Sequence, residues 1–194
     1  MNRDLRAFLI LVGTATCLSA GAFAGLAKGA EDLDCEGATH CLLMSFPRHV
    51  SDKDEPEAER WERVKQIASA LDAATSNRIE RAWLAMTIFE ESRMARYVDL
   101  DWPKCRDGEG GQCDGGRAYG LTQVHNTNRK MSRKQLFERS LKLVKAGGNY
   151  CKKRGFSFWA GGISQYARGG RHCEWKSAEK RVARMWSYHW RMGQ

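Results

Sequence analysis

Ala82-Trp83-Leu84-Ala85-Met86-Thr87-Ile88-Phe89 runs directly into Glu90-Glu91-Ser92, and this stretch decides the fold. A segment apolar almost all round, with no alternation, reads as a helix buried at the centre of a domain. Its two closing carboxylates mark where the chain leaves the core and opens onto a cleft. Burying a carboxylate is costly unless it is neutral or partnered. An acid kept protonated near neutral pH is what a glycosidic leaving-group oxygen needs as its proton donor. The plainer reading is an ordinary helix C-terminus with solvated acids. Beyond residues 93–117 the chain returns as Ala118-Tyr119-Gly120-Leu121-Thr122-Gln123, a Gly-Leu-x-Gln turn.

Working outward, the remaining patterns are helical. Trp61, Val64, Ala68 and Leu71 form an apolar stripe amid charges, and Pro56 suits a first turn. Ser76 or Asn77 supplies the N-cap of the central helix. Ser132 and Gln135 form a capping box that opens a helix carrying Leu136, Ser140, Leu143 and Val144. That helix either breaks at Gly147-Gly148 or continues to Cys151. Another spans about Phe158 to Tyr166 and stops at Gly169-Gly170. The last starts near Ser177 with Val182, Met185, Trp186 and His189 on one face. A short hairpin fits Tyr119 to Val124, so the class is mainly α. Residues 25–55 lack periodicity and read as an irregular N-terminal arm ahead of a domain spanning 56–194.

Three motifs in order make the chain resemble the lysozyme-like lytic transglycosylase family of the soluble (SLT) type, over roughly residues 60–190. The family reads Glu-Ser-x-Phe, then Gly-Ala-x-Gly-Leu-Met-Gln, then Tyr-Asn-Ala-Gly. This chain has Glu91-Ser92-Arg93-Met94, then Arg117-Ala118-Tyr119-Gly120-Leu121-Thr122-Gln123, then Tyr166-Ala167-Arg168-Gly169. Arg117, Thr122 and Ala167 are among the departures from the pattern. Ala167 matters most, because the family Asn orders the site wall; Arg168 or Gln165 would have to substitute for it.

The resemblance implies a lysozyme-like helical domain with Glu91, rather than Glu90, as the single general acid and base. It implies that peptidoglycan glycan strands are the substrate and that 1,6-anhydromuramyl ends are the product. Ser92, Tyr119, Gln123 and Tyr166 become the substrate-binding candidates: Ser92 and Gln123 as hydrogen-bonding groups, Tyr166 as an orienting hydroxyl, Tyr119 as a subsite ring. Their structural alternatives are a helix-terminal Ser, a turn Gln and two packed tyrosines. Trp83, Trp159 and Trp186 read as core, and His125 and His172 have no partner pattern. Two other functions stay open. A hydrolytic lysozyme would need a second carboxylate, with Asp99, Asp101 or Asp114 as candidates; a non-catalytic wall-binding module would need only the fold.

Residues 95–117 are longer than the corresponding family loop, and Cys105 and Cys113 lie in the surplus, where a local bridge would pin it. Asp107, Glu109 and Asp114 alternate there, but no bidentate Glu follows as a calcium loop requires. Neither a metal nor another cofactor is expected. Arg3, Arg6, the uncharged run Ala7–Ala27 and Ala22-Phe23-Ala24 read as a secretory signal over residues 1–24. The alternative is an uncleaved membrane anchor; Cys17 lacks the context of a lipoprotein. Export leaves Cys35, Cys41, Cys105, Cys113, Cys151 and Cys173 for three disulfides between sequence neighbours. Cys151–Cys173 would join the ends of two neighbouring helices. Net charge is +9, falling to +8 without residues 1–24. With export and no recognised binding motif, that charge suits an anionic wall polymer in the periplasm or outside the cell rather than nucleic acid.

Overall fold

Asn77 starts the central helix as expected: its side chain accepts hydrogen bonds from the backbone N–H groups of Ile79 and Glu80. The computed structural model describes residues 35–99, 118–125 and 131–194. In chain order the elements are α1 (Gly37–Met44), α2 (Glu57–Ala74), α3 (Arg78–Ser92), β1 (Ala118–Tyr119), β2 (Val124–His125), α4 (Arg133–Lys152), α5 (Phe158–Arg168) and α6 (Lys176–Arg191). Short 3-10 turns cover Val50–Asp52 and Arg96–Val98. The fold is mainly α with one antiparallel hairpin pairing Ala118 with His125 and Tyr119 with Val124.

The apolar run of α3 is the core. Every residue from Ala82 to Ile88 is buried, Trp83 to within 1%. Helices α2, α4 and α6 pack around it, because a helix with no polar face has to be covered on several sides. Pro56 precedes the first residue of α2, and both halves of the Ser132/Gln135 capping box form at the start of α4. On α4 the buried line is Leu136, Phe137, Ser140, Leu141 and Val144, so Leu143 of the expected stripe lies outside it, 44% exposed.

Gly147 and Gly148 do not break α4; they let α5 approach. A Cβ on Gly148 would lie 2.8 Å from the Phe158 carbonyl oxygen, and one on Gly162 would lie 2.5 Å from the Val144 carbonyl oxygen. Cys151–Cys173 then ties the far end of α4 to the later part of the loop before α6, as expected, and Cys35–Cys41 closes the beginning of α1. Cys105 and Cys113 lie outside the described residues. Gly162→Ala gains about 1 kcal/mol of helix propensity but drives a methyl into backbone, an overpacking cost of about 1–3 kcal/mol or more. The expected result is a lower urea midpoint; a variant more stable than the parent would contradict this packing.

The N-terminal arm is not irregular where it is described. Gly37–Met44 is helical, with Thr39, His40, Leu42, Leu43 and Met44 all buried. It is short and covered on most sides by α2 and α6, so no amphipathic period reveals it. His40 sits edge-on to Trp61 at 5.1 Å and accepts the Glu36 N–H through Nδ1 at 2.9 Å. Next to this segment lies a buried ion cluster. Glu55, with a side chain only 2% exposed, takes both ends of the Arg63 guanidinium at 2.7 and 2.9 Å. Arg63 also donates to the Met94 carbonyl at 2.9 Å, and Asp52 accepts the Arg96 N–H at 2.9 Å.

Helix α6 is rotated from the expected face: Ala178, Met185 and Tyr188 are buried, while Trp186 is 44% exposed rather than core. Ala178, Met185 and Tyr188 share the buried face, with Arg181 and Arg184 beside them pairing with Glu90 and Glu91 at the end of α3. Trp186, one residue on from Met185 and about 100° around the helix, faces outward.

Candidate active site

The site is built where α3 stops. Ser92 donates its hydroxyl to the Ile88 carbonyl at 2.8 Å and accepts the Met94 N–H at 3.1 Å. These bonds hold Arg93 and Met94 in the left-handed region, at φ 51° and 57°. Each such conformation costs a residue with a Cβ about 1–2 kcal/mol. Arg93 stacks over the Phe89 ring at 4.2 Å, and Met94 is buried with its carbonyl held by Arg63. Ser92 therefore shapes the turn, its hydroxyl engaged within the chain on both sides.

The hairpin loop is closed from within. Gly120 adopts φ 66° and Gln123 φ 52°. The Gln123 side chain donates to the Gly120 carbonyl at 2.9 Å, and the Gln123 N–H reaches the same oxygen at 2.9 Å. Among the described residues, Arg93, Met94 and Gln123 are the non-glycine residues at positive φ, so backbone strain collects at the two motif ends. Tyr119 lies half-buried on β1 beside that loop.

Tyr166 links α5 to the hairpin. Its hydroxyl donates to the Thr122 carbonyl at 2.7 Å and lies 3.2 Å from Ser140 Oγ, while the Thr122 and Ser140 hydroxyls meet at 2.8 Å. Thr122 and Ser140 are fully buried. Burial pushes the Tyr166 phenol well above its ordinary range, and the nearby negative charge of Glu91 acts in the same direction. The hydrogen bonds with Ser140 and Thr122 oppose the shift without cancelling it. Tyr166 thus remains a neutral donor, committed to the hairpin backbone rather than to the Glu91 carboxyl. Its ring stands edge-on to Trp83 at 5.2 Å, fixing it against the core helix.

Glu91 is not the unpartnered buried acid that its apolar context implies. Its side chain is 23% exposed and its Oε1 meets Arg181 Nη1. Arg181 also lies 3.9 Å from Glu90 and 4.8 Å from the centre of the Trp175 ring, and Arg184 pairs with Glu90. Glu90 and Glu91 are thus separated by partner: Glu90 is held by both arginines, Glu91 by Arg181 on the side that feels Tyr166.

Other candidates fall elsewhere. Asp99 is buried, with both oxygens gripped by Arg133 at 2.8 and 2.9 Å, an ion pair anchoring the turn after Glu91 to the start of α4. Gln165 lies against the Cys151–Cys173 bridge, its Nε2 3.4 Å from Cys151 Sγ. Ala167, Arg168 and His172 are exposed on α5 and the loop after it, and His125 ends β2. Asp101, Asp107, Glu109, Asp114 and Arg117 lie outside the described residues. Among the described residues no group of His, Cys, Asp and Glu is arranged to hold a metal ion, and no helix is long and apolar enough to cross a membrane.

Arg181, Thr122 and Ser140 carry no sequence signal strong enough to assign them. The Ser140 hydroxyl within an apolar stripe was the nearest clue, since a buried hydroxyl needs a partner. No family model, curated protein or solved structure matches the chain.

Proposed function

We propose that this chain is an exported peptidoglycan lytic transglycosylase with Glu91 as its acid and base. One observation carries the reading. Tyr166 links three segments far apart in sequence: its hydroxyl is pinned to the Gly120–Gln123 loop, its ring stands edge-on to Trp83 of α3, and the charge of Glu91 at the end of that helix acts on its phenol. The strained residues Arg93, Met94 and Gln123 sit at the end of α3 and in that loop. The basic charge, the disulfides Cys35–Cys41 and Cys151–Cys173, and the N-terminal signal pattern support export toward an anionic wall.

In this reading Glu91 protonates the oxygen joining N-acetylmuramic acid to N-acetylglucosamine, and the bond to the muramyl anomeric carbon breaks. The muramyl N-acetyl group stabilises the cationic centre. Glu91, now a carboxylate, takes the proton of the sugar's 6-hydroxyl as that oxygen closes onto the anomeric carbon. A hydroxyl already tethered beside the reacting carbon has a high effective concentration, so no water is needed. Arg181 suits the carboxylate of the second step. For the first step the glycan has to part the pair, leaving Arg181 to Glu90 and Trp175. Ser92 and Gln123 serve by holding the two turns, and Tyr119 lines the wall. Asp99 is locked to Arg133 and so is committed to that ion pair rather than to the role of a hydrolase's second carboxylate; the other two candidates, Asp101 and Asp114, lie outside the described residues.

Mass spectrometry of muropeptides released from purified sacculi tests the proposal. Anhydromuramyl ends are expected. Reducing ends would make the protein a muramidase, and no release would leave a wall-binding module.

A further inference from the structure

The exposed side of α6 carries Trp186 and Trp190, 44% and 70% exposed, one helical turn apart. Trp186 is held edge-on by His189 at 5.3 Å, and His189 Nε2 accepts the Arg78 Nε–H at 3.0 Å. Burial, and then the charge of Arg78, lower the His189 pKa, so the ring is neutral at pH 7 and able to accept. Arg78 reaches α6 from the start of α3, and its Nη1 lies 2.3 Å from where a Cβ on Gly193 would stand. Two large aromatic surfaces thus lie beside a guanidinium and an imidazole.

We propose that Trp186 and Trp190, with Arg78 and His189, form a second glycan-binding platform that holds a wall strand apart from the cleavage site. The choice of glycan rests on the peptidoglycan reading above. The chemistry favours a sugar chain over a lipid surface. An indole face stacks on the C–H face of a sugar ring, while guanidinium and imidazole N–H groups meet ring hydroxyls and carboxylates. Four residues of helix advance about 6 Å, close to the repeat of one sugar unit. The net charge, +9 for the whole chain and +8 without residues 1–24, complements a polymer carrying peptide carboxylates. A membrane-inserting face would need a continuous apolar stripe, and here the exposed neighbours include Glu179, Ser187 and Gln194.

The test uses the full chain carrying Glu91→Gln, so that sacculi stay intact, in co-sedimentation with purified sacculi. Adding Trp186→Ala and Trp190→Ala should weaken binding about tenfold or more, whereas the Trp→Phe pair retains most of it. Trp190→Ala alone, with an unchanged melting midpoint, guards against misfolding as the cause. In the active chain the Ala pair should leave cleavage of short soluble glycan fragments within about twofold. Undiminished sedimentation overturns the platform. So does an equal loss on short fragments, which would put the tryptophans in the cleft. Trp-dependent binding to anionic phosphatidylglycerol vesicles with none to sacculi, or Trp-dependent self-association, overturns it as well. If the platform behaves as expected while the Glu91-intact chain releases no muropeptides, the platform stands and the catalytic reading fails.

Discussion

Glu91→Gln is expected to lower anhydromuropeptide release by about 10²–10⁴-fold, at the upper end because one group serves as acid and then as base. The amide keeps the shape of the side chain and an oxygen that can still accept from Arg181, so the loss reports the titratable, charged carboxyl rather than packing. Glu90→Gln is the control. Glu90 is held by Arg184 and Arg181 at the margin of α6, and these pairs are part-exposed, so their loss should cost about 1 kcal/mol of stability or less. Turnover should stay within a few-fold. The two residues differ by one position, about 100° around the helix, and it is the charge of Glu91 that acts on the Tyr166 phenol. Loss in Glu90→Gln with activity in Glu91→Gln would shift the register by one. Activity in both would end the transglycosylase reading.

The legible parts of this fold are those with local signatures. The continuous apolar run announced α3, and Asn77, the Ser132/Gln135 box and Gly169 each ended or began a helix through bonds made within a few residues. The hairpin was readable because Gly120 fits its left-handed turn. What stayed hidden depends on contacts between segments. Helix α1 is buried on most sides, so its apolar residues show no period. Gly147-Gly148 looks like a break until α5 is laid against it.

The same division runs through the candidate site. Glu91 stands out because acids are rare at the end of an apolar run. Its partner Arg181 is one of many basic residues, and nothing local sets the register of α6 against α3. Counting apolar residues on α6 points Trp186 inward; in the fold Ala178, Met185 and Tyr188 take the buried face and Trp186 lies outside it. Thr122 looked like a simple departure from a Met, yet its hydroxyl meets Ser140 and its carbonyl accepts from Tyr166. The polar side chain at that position and the one at Ser140 satisfy each other, a pairing visible only once α4 and the hairpin are adjacent.

The largest stability effect is expected at Glu55→Ala. This residue lies at the end of the segment that reads as an irregular arm, yet its side chain is 2% exposed and bidentate to Arg63. Removing one partner of a buried pair leaves the other charge desolvated, at a cost of about 3–5 kcal/mol. Arg63 keeps the Met94 carbonyl at 2.9 Å and has Asp52 3.9 Å away, which points to the lower end of that range. For a unit of this size, about 3 kcal/mol lowers the melting midpoint by about 6–12 °C. The double variant Glu55→Leu with Arg63→Met separates the orphaned charge from the rest: apolar side chains of similar volume should recover part of the loss, while the Met94 carbonyl goes without its Arg63 donor. Turnover should fall with Glu55→Ala beyond the loss of folded protein, since Arg63 anchors the Met94 turn that follows Glu91 directly. A Glu55→Ala midpoint within about 2 °C of the parent would mean that water reaches Arg63 and that the cluster does not hold the turn.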